Sequence, residues 1–245
     1  SKNENIDDKE IIDISLKILK SSRYRSSKLN IGNFKLFELL INKLQIPQRW
    51  KQRLIKFFWN EKYFSELLKR LESNLDIDPV AVAGDKKMYS KMIKLNQKKI
   101  INGRSYKEII KRFESKINDP RQSETGKKSA KIIKEFLKIK CSLNNAPNIL
   151  NKFFKKYDLN IFVNKDFFPI KNLKIKDTKF EFSTSIGRGR EVEFYNSLIF
   201  SLDVKKKNKF VNLISGGRFD ELTSKYLGLK KVPAVGAAVN LSNYE

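Results

Sequence analysis

Histidine is absent from this 245-residue sequence, and cysteine occurs once, at Cys141. The first absence excludes histidine-based acid–base catalysis and histidine-rich metal sites within the chain. The second excludes an internal disulfide and a multi-cysteine metal site. No apolar run approaches the roughly 20 residues that a membrane span needs. The opening Ser1-Lys-Asn-Glu-Asn-Ile-Asp-Asp8 is polar and acidic, unlike a secretory signal. These absences point to a cytoplasmic, soluble protein with no metal, no cofactor and no membrane partner.

What is present is lysine. Lysine and arginine number 52 against 27 acids, a formal charge of +25. Such a balance raises nucleic acid as a partner. The excess is spread along the whole chain, however, and dispersed lysines make a solvated surface. Nucleic acid is therefore not the expected partner. The densest basic run, Lys205-Lys-Lys-Asn-Lys209, falls where a hairpin tip is expected. Forty per cent of residues are hydrophobic and eighteen are Phe, enough to bury a core.

Helical periodicity dominates the first two thirds. Asp7-Asp-Lys-Glu10 reads as a helix start with a capping acid, followed by Ile11, Ile12, Leu16, Ile18 and Leu19 at helical spacing. Lys28 to Ile31 reads as a short strand, and Gly32-Asn33 as a turn and cap before a stripe of Phe34, Phe37, Leu40, Ile41 and Leu44. Pro47 suits a first helical turn. A break is expected from Asp76 to Lys87, around Pro79 and Gly84, and another at Asp119-Pro120. Ser105-Tyr-Lys-Glu108 is a capping box. Helical stripes then recur at Ile132 to Leu137 and at Ile149 to Phe154, so residues 46–156 read as helical.

The character changes near Asn160. Ile161 to Val163 and Phe180 to Thr184 read as strands. Val192 to Asp203 alternates, with Glu193 and Tyr195 on its more polar face. A lysine-rich turn and Lys209 to Ile214 complete a hairpin. Asp220 to Leu227 reads as a helix capped by Gly228, and Pro233 to Val239 as a buried strand in a crowded sheet. Helices and strands are not interleaved singly, so a doubly wound sheet is not expected. The fold class is α+β: an antiparallel sheet with flanking helices and a helical insertion. Three segments follow: residues 1–45 and 157–245 in the sheet-bearing core, and 46–156 as the insertion.

One constellation carries chemistry. Arg190 precedes a polar strand face bearing Glu193 and Tyr195. Gly216-Gly217 reads as a two-glycine turn, and glycines let a backbone approach a ligand closely. Arg218 offers a planar fork for a carboxylate or phosphate. The plainer alternative is an ordinary hairpin in which Glu193 and Arg218 form a surface ion pair.

The order of these pieces resembles the class II histidyl-tRNA synthetase core. That family carries Arg-x-Leu-Asp-Tyr-Tyr-Thr-Gly-x-x-Phe, which Arg190-Glu-Val-Glu-Phe-Tyr-Asn-Ser-Leu-Ile-Phe200 follows without a gap. Its third class II motif begins Gly-Gly-Arg-Tyr-Asp and continues to Pro-Ala-Val-Gly-Phe-Ala-x-Gly-Leu-Glu-Arg. Gly216 to Asp220 and Pro233 to Asn243 match in order. The departures are as specific. Asn243 stands where the family's ATP-contacting arginine falls, Ser242 where its glutamate falls, and Phe194 replaces the first tyrosine of the pair. The first two class II motifs are not in these residues.

This eroded pattern resembles the synthetase paralogue that serves as regulatory subunit of ATP phosphoribosyltransferase, the first enzyme of histidine biosynthesis. The resemblance implies a class II synthetase-like fold, lost aminoacylation and no catalytic residue. It implies pairing with a short-form catalytic subunit, self-association, and a part in histidine feedback. It assigns Arg190 and Tyr195 to a remnant amino-acid pocket, with Glu193 holding an amine or orienting Arg190, and Arg218 bracing Gly216 and Gly217. It also implies a piece of a longer chain, lacking roughly the first third. A truncated or degraded histidyl-tRNA synthetase is the alternative, and a nucleic-acid-binding protein on a reused fold is a third.

Overall fold

A computed structural model describes residues 4–73, 79–95, 100–101, 104–117, 123–168, 175–189, 194–228 and 232–244. In chain order the elements are α1 (Glu4–Ser21), β1 (Ser27–Asn33), α2 (Phe34–Lys43), α3 (Gln48–Lys56), α4 (Glu61–Glu72) and α5 (Pro79–Leu95). Next come β2 (Ile100–Ile101), β3 (Arg104–Ser105), α6 (Tyr106–Ile117), α7 (Ser123–Phe136), β4 (Lys140–Ser142) and α8 (Ala146–Lys156). The remainder is β5 (Thr178–Ser183), β6 (Leu198–Lys206), β7 (Lys209–Arg218), α9 (Asp220–Leu227) and β8 (Val235–Val239). The chain divides into two compact units, Leu44–Ile132 and the flanking Ser1–Lys43 with Ile133–Glu245.

The flanking unit holds a six-stranded sheet in the order β4-β5-β1-β6-β7-β8. All pairs are antiparallel except β1 with β5. Register sorts the two faces by chemistry. Leu29 pairs with Leu202 and Ile31 with Phe200, while Leu202 pairs with Ile214. These residues and Phe182 are all buried, and they make the apolar face. The alternate residues make the polar face: Asn30 lies opposite Ser201 and Glu181, and Ser201 opposite Ser215. Apolar helix faces contribute Ile12, Leu16, Phe37, Leu40 and Phe154 to the core. Each such side chain, once buried, contributes about 1.5–3 kcal/mol.

Among its described residues the Leu44–Ile132 unit is helical, with one two-stranded pair, β2 with β3. Its starts follow local capping chemistry. The Asn60 side chain accepts from the Tyr63 amide at 3.0 Å and opens α4. Ser105 and Glu108 form the expected capping box: the Ser105 amide donates to the Glu108 carboxylate at 2.8 Å and the Glu108 amide to the Ser105 hydroxyl at 3.3 Å. Trp50, Leu54, Phe64, Leu67 and Leu71 are among its fully buried side chains.

Several expectations change. The break around Pro79 and Gly84 is instead helix α5; proline needs no amide partner in a first turn, and nothing crowds Gly84. Pro47 sits just before α3, at its N-cap. Asp119-Pro120 lies outside the described residues. Ile161 to Val163 is not a strand, because the Asn151 side chain takes both backbone groups of Val163, each at 2.8 Å. Of the strand expected from Val192, Val192 and Glu193 lie outside the described residues, Phe194 to Ser197 are not strand, and β6 begins at Leu198. Lastly, β8 is a sheet edge with exposed Ala237 and Ala238, not a buried central strand. Its small residues suit close packing on β7.

Candidate functional site

Four of the six residues expected at the site are described: Tyr195, Gly216, Gly217 and Arg218. Arg190 and Glu193 lie outside the described residues.

Gly216 and Gly217 are not a turn. They are strand residues of β7, paired with Phe200 and Ile199 on one side and with Ala237 and Gly236 on the other. Their lack of a side chain serves two aromatic rings, one on each face of the sheet. A Cβ at Gly216 would stand 2.6 Å from the Phe200 ring on the apolar face. A Cβ at Gly217 would stand 2.7 Å from the Tyr195 ring and collide with the Leu198 carbonyl oxygen. Gly217 shares the polar face with Ser215, so the Tyr195 ring lies on that face. Tyr195 precedes the strand and is half-buried; it packs against Phe194 with ring centroids 4.4 Å apart and against Phe219 at 6.4 Å. Burial pushes its phenol above the ordinary 10.0, so the hydroxyl stays protonated at neutral pH.

Arg218 alternates back to the other side and is fully buried. Its fork is filled from within the protein. Nε donates to Asp8 Oδ1 at 2.8 Å, a terminal nitrogen reaches the same oxygen at 2.7 Å, and the other donates to Asp220 Oδ1 at 3.0 Å. Asp7 lies further off, at 3.9 Å. Arg218 therefore makes no surface ion pair of the kind the plain hairpin implied: alternation points it inward, and Asp8 and Asp220 meet it there. The helix start expected at Asp7 comes earlier: α1 already includes Glu4, so Asp7 and Asp8 both sit inside the helix, and Asp8 turns its carboxylate to Arg218. Asp220 Oδ1 also accepts the Ala234 amide at 2.7 Å, which ties the approach to β8 into the same group.

Sequence reasoning missed a second polar set. On the polar face Asn30 donates to Ser201 at 3.1 Å and to Asp203 at 2.8 Å. Asn212 donates to the other Asp203 oxygen at 3.0 Å, and Ser215 donates to Asn212 at 2.8 Å. The strand alternation of Ser201 and Asp203 was the available signal; the partners from β1 and β7 were not visible. Asn243, at the position of the family's ATP-contacting arginine, turns its amide to the Asn212 carbonyl at 2.9 Å, while its own carbonyl accepts from Tyr24 at 2.8 Å. That side chain is spent on the sheet. Among the described residues, no group of three or more metal-ligating side chains is placed to hold an ion, and no helix is long and apolar enough to cross a membrane.

A mostly antiparallel sheet with one polar face, backed by helices, is the class II synthetase arrangement. The chain matches the solved histidyl-tRNA synthetase from Nostoc sp. PCC 7120 with a TM-score of 0.54, at 17% identity, over 97% of this chain and 45% of that one. That likeness is one of fold. In sequence, the chain is similar to ATP phosphoribosyltransferase regulatory subunits. It is 28% identical to that of Allorhizobium ampelinum over 234 residues, 88% of this chain and 61% of the relative. It is 24% identical to that of Sinorhizobium fredii over 238 residues, 90% of this chain and 62% of the relative. The chain thus spans less than two thirds of the length of these curated relatives. No family model matches it.

Proposed function

We propose that this chain is part of a non-catalytic regulatory subunit of ATP phosphoribosyltransferase, acting in the first step of histidine biosynthesis with a short-form catalytic subunit and taking part in histidine feedback. The observation that carries this reading is the fate of Asn243. An activating synthetase needs a guanidinium there to meet a triphosphate, whereas an amide bound to the Asn212 carbonyl has neither the charge nor the freedom to do so. The similarity to regulatory subunits supports the same choice.

The ligand face proposed is the polar side of the sheet beside Gly217. Tyr195 supplies an aromatic wall and a protonated hydroxyl, and Gly217 the close floor. Arg190 and Glu193 are proposed to complete it, meeting a carboxylate and an amine. Arg218 braces the glycines from the opposite face. Histidine bound here biases the arrangement of the subunits, a coupling free energy between sites. The protein is proposed to self-associate within that hetero-oligomer and to work in the cytoplasm.

The test is calorimetric titration of histidine into the full-length regulatory–catalytic complex. Wild type is expected to bind, and Arg190→Ala and Tyr195→Ala to bind at least tenfold more weakly, the equivalent of about 1.4 kcal/mol. Unchanged affinity in both variants would sink the pocket assignment. Histidyl-tRNA formation by the full-length protein would favour the synthetase alternative instead.

A further inference from the structure

Arg218 holds more than two acids. Its carbonyl oxygen accepts the Asn196 amide at 2.9 Å, one residue after Tyr195. The next residue, Phe219, donates its amide to the Ala234 carbonyl at 2.8 Å and sets its ring 6.4 Å from that of Tyr195. Through its side chain Arg218 reaches Asp8 in α1 and Asp220 at the head of α9, and through Asp220 the Ala234 amide before β8. The side chains of Asp8 and Asp220 are 8% and 10% exposed, and that of Arg218 is 0%. A fully buried charge with this many hydrogen bonds has one low-energy position, since any displacement strands a charged group out of water. The segment carrying Tyr195, the end of β7 beneath it, α1 and the approach to β8 are thus joined at one residue, the first through the Arg218 backbone and the others through its guanidinium and Asp220.

We propose that Asp8 and Asp220 are positioning residues which act through Arg218 to set the Tyr195–Gly217 face, so that an amino acid seated on that face is coupled to α1 and to β8. The inference rests on the reading of that face as an amino-acid site. It goes further in placing control of the site on the opposite side of the sheet. A seated ligand that moves Tyr195 must move the Arg218 backbone, and the clamp passes that shift to α1 and the sheet edge.

The experiment uses the full-length complex with 3-fluorotyrosine incorporated, the Tyr195 resonance being assigned with Tyr195→Phe. Asp8→Asn and Asp220→Asn keep side-chain shape and remove one charge each; Glu181→Gln, in an ion cluster at the other end of the sheet, is the control. Circular dichroism and thermal unfolding report the folded fraction. Both clamp variants are expected to shift the Tyr195 resonance without ligand and to weaken histidine binding roughly tenfold in the folded protein, while Glu181→Gln does neither. An unmoved resonance and unchanged affinity in folded clamp variants would overturn the proposal and leave Arg218 with stability alone. If wild type binds no histidine while the resonance still moves in both clamp variants, the amino-acid reading fails and the positioning role stands.

Discussion

The sheet carries an ion cluster near each end, and the two are built from similar parts with different consequences. Near the β4 edge, the Glu181 carboxylate meets Lys28 at 2.9 Å and Lys140 at 3.3 Å. Near the β8 edge, Arg218 meets Asp8 and Asp220 at similar distances. The lysine cluster lies on the polar face, with side chains 20–58% exposed, so water reaches each of its three side chains. The arginine cluster lies on the helix side with its guanidinium fully covered. Location, not the count of ion pairs, sets what each is worth. An exposed pair trades water for a partner at little net gain, while a buried one leaves a stranded charge when broken.

The largest expected effect is Arg218→Ala. It strands two carboxylates under α1 and α9, and should lower unfolding stability by about 3–5 kcal/mol in a denaturant titration. A loss below about 1 kcal/mol would erase the contrast between the clusters. Gly217→Ala comes next. The added methyl meets the Tyr195 ring and the Leu198 carbonyl, at a cost of about 1–3 kcal/mol. In a double-mutant cycle with Tyr195→Ala, part of that cost should disappear, because the ring is one of the two obstacles; strict additivity would show that the ring does not sit over Gly217.

Glu181→Gln should cost about 0–1 kcal/mol. High salt should sharpen the difference: at 1 M, where screening acts within about 3 Å, the Glu181 contribution should vanish while the Arg218→Ala penalty persists. The smallest effect is in pH. Burial raises the Glu181 pKa, but hydrogen bonds from Lys28 and Lys140 outweigh it and hold the carboxyl below its ordinary 4.5. Its folded pKa is depressed, so its contribution is present above about 4.5 and is lost as pH falls through the lower folded value. The difference in stability between wild type and Glu181→Gln should shrink on acidification; a difference that grows would reverse the assignment.

Much of the helical structure was legible because its causes are local. A capping box needs only Ser105 and Glu108, and a helix end needs only Gly228, whose φ of 65° closes α9. The β6–β7 hairpin was legible for the same reason. The site was legible in part, as residue identities in order. Its geometry was not: Asp8 and Arg218 are 210 residues apart, and no local pattern pairs them. The glycines misled because a Gly-Gly pair suits a turn and an aromatic contact equally. Only the rings of Phe200 and Tyr195 decide between them.

By itself, then, the sequence determined what depends on neighbours along the chain: helix starts and stops, the alternation of β6, and the motif order that resembles a class II core, with Asn243 where that motif has an arginine. The tertiary structure decided what depends on neighbours across space. It set β1 between β5 and β6, turned Arg218 away from the polar face of the sheet, and made Asp8 its partner. The physical reason is burial. A charge in water tolerates many partners, whereas a charge taken out of water must find its own, and only the folded chain brings Asp8 and Asp220 to Arg218.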